Sequence, residues 1–122
     1  MLNDEALLTS GRRTLTLEGQ AVTKLAESLS PSFAAACQLI LKTQGRVIVT
    51  GMGKSGHIAH KIAATLASTG TPAFFVHPGE ASHGDMGMIT QRDTVLALSN
   101  SGTTPEILTL LPLLKRLGVK LV

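Results

Sequence analysis

Arg46-Val47-Ile48-Val49-Thr50-Gly51-Met52-Gly53-Lys54-Ser55-Gly56-His57 is the stretch that decides the fold of this chain. A run of β-branched residues ends in a glycine-rich turn, and a helical pattern starts at once. That is the sequence form of a strand, a tight loop and a helix N-terminus. Glycines let the backbone turn sharply and come close to a ligand. The helix start beyond them adds unpaired N–H groups and a partial positive charge, which suits a phosphate.

Downstream, strands and helices alternate. The helix after the glycine turn places Ile58, Ala59, Ile62, Ala63 and Leu66 on one face, and Gly70 ends it. Residues 73–76 read as a second strand, residues 77–91 as a connection rich in glycine and proline, and residues 94–98 as a third strand. Pro105 opens a helix with Ile107, Leu110, Leu111 and Leu114 on its buried face. Pro112 is expected to kink that helix, and Gly118 to stop it before a fourth strand starts at Val119. Strands this continuously apolar, alternating with helices, predict a parallel sheet covered on both faces. Because the sequence stops on Leu121-Val122 inside that fourth strand, the chain is read as part of a longer fold.

Upstream, residues 4–29 form a long amphipathic helix pattern with a possible break at Gly11 or Gly19. Ser30-Pro31 restarts the pattern as N-cap and first helical residue, and Gly45 fits a C-terminal stop. Residues 1–45 are thus N-terminal helices that pack on the domain or on a partner subunit, and residues 46–122 carry the α/β unit.

Composition narrows the function. Aromatic residues make up 2% of the 122 and neither Trp nor Tyr occurs, which argues against a stacking platform for nucleic acid. The net charge of +3 is scattered along the chain, as on a solvated surface, and would also suit a small anionic substrate. Cys37 is the one cysteine, so no internal disulfide and no cysteine cluster can form, and its apolar neighbours make it a small buried filler. Asp4 and Glu5 come early with no signal-peptide core after them, and no apolar run is of membrane-spanning length. These features place the chain in the cytoplasm, away from membranes.

In an open parallel sheet, ligands bind beyond the carboxyl ends of the strands. Three loops fall there: residues 51–56, 77–87 and 99–106. In the first, Gly51, Gly53 and Gly56 satisfy the dinucleotide fingerprint formally, but His77 stands where the acidic residue closing the second strand should be. A P-loop fits less well still, because its first glycine position is taken by Ile48 within the strand. What remains is either a shorter anion loop with Lys54 aimed into the cleft or a plain strand–helix turn. The third loop, Ser99-Asn100-Ser101-Gly102-Thr103-Thr104, is dense in hydroxyls that could surround a phosphate, although Thr104 could equally cap the helix that Pro105 opens. Glu106 lies in that helix's first turn, where acidic residues are common for dipole reasons; facing a phosphate, it becomes a candidate base. The second loop gathers His77, Glu80, His83 and Asp85. Their spacing fits no standard zinc motif, even with His57 and His60 added, so no metal is assigned. His83 is the better candidate for a polar role in the cleft, with Asp85 orienting the loop and His57 and His60 facing solvent.

Taken together, these residues resemble the sugar isomerase (SIS) domain family, and within it the D-arabinose 5-phosphate isomerases. The resemblance rests on residues 51–57, on Ala67-Ser68-Thr69-Gly70-Thr71-Pro72 leading into Phe74-Phe75-Val76-His77-Pro78-Gly79-Glu80-Ala81, on His83-Gly84-Asp85, and on Ser99-Asn100-Ser101-Gly102. It implies a three-layer α/β/α sandwich of flavodoxin-like topology, here continued as far as the fourth strand. It also implies cofactor-independent interconversion of D-ribulose 5-phosphate and D-arabinose 5-phosphate through an enediolate, feeding synthesis of the lipopolysaccharide sugar Kdo. The family pattern puts the substrate phosphate against Ser55, Ser99, Ser101 and Thr104, on loops formed by Gly51, Gly53, Gly56 and Gly102. Lys54, His83 and Glu106 match active-site positions. Glu106 would move the proton between C1 and C2, Lys54 would stabilise the enediolate, and His83 would bind hydroxyls or assist proton movement. Family members continue with a further catalytic glutamate and histidine, commonly carry two CBS domains, and assemble as tetramers. A non-catalytic sugar-phosphate-binding regulatory module and a related hexulose or heptose phosphate isomerase are the alternatives.

Overall fold

The β-branched stretch around Ile48 forms a strand buried along its whole length, and the rest of the α/β unit is laid against it. The computed structural model describes residues 3–122. In chain order the elements are α1 (Asp4–Glu27), α2 (Pro31–Leu41), β1 (Val47–Gly51), α3 (Gly53–Ser68), β2 (Ala73–Phe75), α4 (Pro78–Ser82), a 3-10 turn (Asp85–Met88), β3 (Thr94–Leu98), α5 (Pro105–Leu117) and β4 (Lys120–Leu121). They fall into two compact units that divide after Ala35.

The first unit is dominated by α1. Its start is capped by Asn3, whose Oδ1 accepts from the Ala6 N–H at 2.8 Å, with Asp4 and Glu5 in the first turn and Lys24 in the last, as the helix dipole favours. The helix runs unbroken through Gly11 and Gly19, and none of its residues is buried.

In the second unit all strands are parallel, in the order β2-β1-β3-β4. Side chains alternate between the two faces of β1. Ile48 joins Val95, Ala81 of α4, and Leu110 and Leu114 of α5, whereas Val47 and Val49 join Ala59 and Ala63 of α3 with Ile40 at the end of α2. Helices therefore cover both faces, in the expected α/β/α layering. Alanines on α3 bring it close to the sheet, and Gly56 closer still: a Cβ there would sit 2.6 Å from the Gly51 carbonyl oxygen.

Several local readings need correction. Residues 77–91 are not a bare connection, since they contain α4 and the 3-10 turn. The His77 ring creates α4 by accepting the Gly79 N–H at Nδ1, 3.1 Å away. Gly45 does not stop a helix. It lies where a side chain would collide with the Asp93 carboxylate and the Arg92 carbonyl, and its N–H donates to that carbonyl at 2.8 Å. Ile58 turns to solvent with 55% of its surface exposed, and Cys37 is half-buried instead of filling a core. The reading of α5 needs no such change: Pro105 opens it, Pro112 lies inside it, and Gly118, with a left-handed φ of 72°, ends it.

At the amino edge of the sheet, Asp93 ties β1 to β3. Its Oδ1 accepts from the Arg46 N–H at 2.7 Å, and its Oδ2 accepts from the Thr90 N–H at 2.8 Å and the Thr90 hydroxyl at 3.1 Å. The Arg46 Nε lies 3.7 Å from Oδ1. Burial pushes this carboxyl's pKa up, but the two N–H groups, the hydroxyl and the arginine together outweigh it and hold the group below its ordinary 3.8. Arg46 also stacks 4.8 Å over the Phe74 ring, which draws in β2.

Candidate functional site

The strand order contains a switch point. β1 leads through α3 to β2 on one side, and β3 leads through α5 to β4 on the other. A crevice opens between the carboxyl ends of two such adjacent strands. Gly51 pairs with Leu98 at that end, so the first and third loops leave the sheet side by side.

Both helices that start here lack a side-chain cap. Met52 precedes α3 and Thr104 precedes α5, and neither side chain bonds a helix N–H. By contrast, Asn3 and His77 cap α1 and α4. The first bond of α3 is made by the Gly56 N–H to the Met52 carbonyl at 3.2 Å, and that of α5 by the Leu108 N–H to the Thr104 carbonyl at 3.0 Å. The N–H groups of the preceding helical residues are therefore left for an outside acceptor, and the dipoles of both helices favour an anion.

The site residues expected from sequence take up the following places. Gly51 is buried at the end of β1, and Gly53 adopts a left-handed φ of 54° that starts α3. Lys54 is exposed and Ser55 half-buried in the first turn of α3. In the third loop, the Ser99 hydroxyl meets that of Thr104 at 2.8 Å and accepts the Gly102 N–H at 3.0 Å. Ser101 accepts the Thr103 N–H at 3.1 Å. Gly102, with φ 70°, closes the turn. Thr104 thus bonds Ser99 and does not cap its helix. Glu106 is exposed in the first turn of α5.

His83 is exposed behind α4, its N–H on the Glu80 carbonyl at 3.0 Å. Among the described residues, no hydrogen bond or ion pair joins Lys54, His83 and Glu106 side chains to one another, and no three metal-ligating residues converge. The side chain of Asp85 lies outside those described. His57 and His60 are both exposed, as expected, and the His60 ring also stacks on Phe75 with centroids 3.8 Å apart. Sequence reading did not single out Thr50, whose buried hydroxyl donates to the Val76 carbonyl; a lone threonine in an otherwise apolar strand is the only hint it leaves. An apolar groove of about 600 Å3, bordered by Leu108, Leu111, Leu121 and Lys115, lies along α5 and β4 away from the three loops. Among the described residues, no helix is long and apolar enough to cross a membrane.

Comparison with known proteins gives this arrangement a setting. The SIS domain pattern matches residues 40–122. The arabinose 5-phosphate isomerase KdsD of Pseudomonas aeruginosa is 66% identical over 113 residues, covering 93% of this chain and 35% of its own length. An E. coli CFT073 protein solved in complex with arabinose 5-phosphate is 46% identical with a TM-score of 0.93, over 98% of this chain and 64% of that one. A putative sugar-phosphate isomerase from Listeria monocytogenes is 30% identical with a TM-score of 0.94, over 99% of this chain and 64% of that one. The chain spans about a third of the length of the curated relatives it matches. With its parallel sheet, its two uncapped helix starts and a family match over residues 40–122, the chain belongs to the SIS domain family.

Proposed function

We propose that this chain supplies the phosphate-binding part of an aldose–ketose isomerase that interconverts D-ribulose 5-phosphate and D-arabinose 5-phosphate. The observation that carries the reading is the pair of uncapped helix starts at one switch point; N–H groups there, with Lys54 and the loop hydroxyls, have the chemistry to receive a dianion. The relatives' names and the sugar phosphate bound to the E. coli protein support this choice of sugar.

In this proposal the phosphate sits against Ser55, Ser99, Ser101 and Thr104. Ser99 and Thr104 exchange their mutual hydrogen bond for the phosphate oxygens. Glu106 carries the proton between C1 and C2, Lys54 stabilises the enediolate oxygen, and His83 holds sugar hydroxyls. No cofactor is needed, because the proton leaves one carbon and returns to its neighbour without net oxidation. Residues 1–45 pack on the domain or on a partner subunit within a homo-oligomer, a tetramer by family resemblance. The cytoplasm and supply of arabinose 5-phosphate to Kdo for lipopolysaccharide belong to the same reading.

The test is a chimera in which residues 1–122 replace the matching third of the P. aeruginosa relative, followed by proton NMR in D2O. The proposal expects ribulose 5-phosphate to form from arabinose 5-phosphate with deuterium entering at the isomerised carbon, and Glu106→Gln to abolish the exchange. A folded chimera that binds the sugar phosphate without exchange would turn the reading toward a non-catalytic sensor. Turnover of a hexulose or heptose phosphate instead would change the substrate.

A further inference from the structure

Thr50 ends the buried run of β1 just before the glycine turn, and 3% of its surface is exposed. It lies on the Ile48 face of the strand, bordering a small void with Val76, Ala81, Val95 and Leu110. Packing alone would be served as well by valine, which has nearly the same shape and no hydroxyl to bury. The hydroxyl donates to the Val76 carbonyl at 2.6 Å.

That bond sits at an informative place. The backbone ladder between β1 and β2 closes with the Val49–Phe75 pair and the Val76 N–H on the Val49 carbonyl, 3.0 Å away. One residue later the chain turns off at His77-Pro78, and the Thr50 hydroxyl adds the rung that the backbone ladder no longer supplies. Water is poorly placed to stand in for it. The adjoining void is about 10 Å3, at the lower limit of the roughly 10–15 Å3 one water needs, and its lining is otherwise apolar. From Val76 the consequence passes directly to the second loop: the His77 carbonyl accepts the Ala81 N–H at 2.9 Å, its ring caps α4, and His83 ends that helix.

We propose that Thr50 is a positioning residue: its hydroxyl sets where the second loop, with His77, α4 and His83, leaves the sheet relative to the glycine turn carrying Lys54 and Ser55. The proposal rests on the reading of the three loops as one sugar-phosphate site. Thr50 itself touches no substrate.

The experiment compares Thr50→Val and Thr50→Ser in the 122-residue chain. Amide hydrogen exchange is followed at Ala81 and His83, with Leu110 and Leu114 as core references, and D-arabinose 5-phosphate and inorganic phosphate are titrated by NMR. In Thr50→Val, exchange at Ala81 and His83 quickens about tenfold beyond any change in the core. The sugar phosphate binds about tenfold more weakly, the equivalent of about one hydrogen bond. Inorganic phosphate, held by the first and third loops, keeps its affinity, and Thr50→Ser restores both other readouts. If Ala81 and His83 change only in step with Leu110 and Leu114, or if serine behaves as valine does, Thr50 is a packing residue and the proposal is overturned. If the unsubstituted chain binds no D-arabinose 5-phosphate, the sugar-phosphate reading fails, and the exchange comparison alone still decides the role of Thr50.

Discussion

Asp93→Asn is the substitution whose cost the structure sets most closely. The carboxylate accepts two backbone N–H groups and one hydroxyl with Arg46 alongside, and 2% of the residue is exposed. An asparagine keeps one acceptor oxygen and turns an NH2 group toward either the Arg46 or the Thr90 N–H. One buried donor is then orphaned, at about 1–3 kcal/mol, and the remaining bond loses its charge assistance. A total loss of about 2–4 kcal/mol follows, against the ~5–15 kcal/mol that holds a typical domain. Urea unfolding at pH 7 should show the midpoint falling by about 1–2 M with an unchanged slope. The sign of the pH dependence also follows. Because the folded carboxyl titrates below its ordinary 3.8, the unfolded chain binds more protons in that range, and Asp93's contribution is complete above 3.8. It fades as the pH falls through the folded value, so parent and variant should converge in acid. A midpoint shift under about 0.3 M at pH 7, or a gap that stays constant into acid, would refute the reasoning.

Other substitutions probe the site and the core. Gly56→Ala drives a methyl to 2.6 Å from the Gly51 carbonyl oxygen, so about 1–3 kcal/mol of stability should be lost together with phosphate affinity, measured by urea unfolding and NMR titration. Leu110→Ala, in the layer between α5 and the sheet, should cost about 2–5 kcal/mol in the same unfolding assay without moving phosphate affinity in the folded fraction. Ser99→Ala removes the acceptor of the Gly102 N–H and the partner of Thr104; calorimetry should find phosphate binding weakened about tenfold, with thermal stability changed by less than about 1 kcal/mol.

The parts of this fold that were legible in the sequence carry strong local signals. β1 and β3 are short β-branched or apolar runs bounded by turns, and Pro105 and Gly118 bracket α5 because one needs no N–H and the other tolerates a left-handed backbone. The glycines at 51, 53, 56 and 102 and the hydroxyls at 99, 101 and 104 mark both crevice loops for the same reason. Features that depend on distant partners were not legible. Gly45 looked like a helix stop because the carboxylate it must avoid lies far along the chain, on Asp93. α4 has five residues, too few for a period to emerge, and its cap is an imidazole instead of a hydroxyl or carboxylate. Ile58 matched the helical stripe, yet the sheet is met chiefly by the alanine and glycine side of α3. The uncapped state of α3 and α5 was hidden as well, since Thr104 has the composition of a cap and spends its hydroxyl on Ser99.

The most direct test of the central claim is titration of the 15N-labelled chain with D-arabinose 5-phosphate, followed at every backbone amide. Phosphate binding at the two uncapped helix starts predicts saturable shifts concentrated in residues 53–56 and 99–107, with inorganic phosphate competing at those amides. Shifts centred elsewhere, such as the apolar groove along α5 and β4, or no saturable response at these two turns, would contradict it.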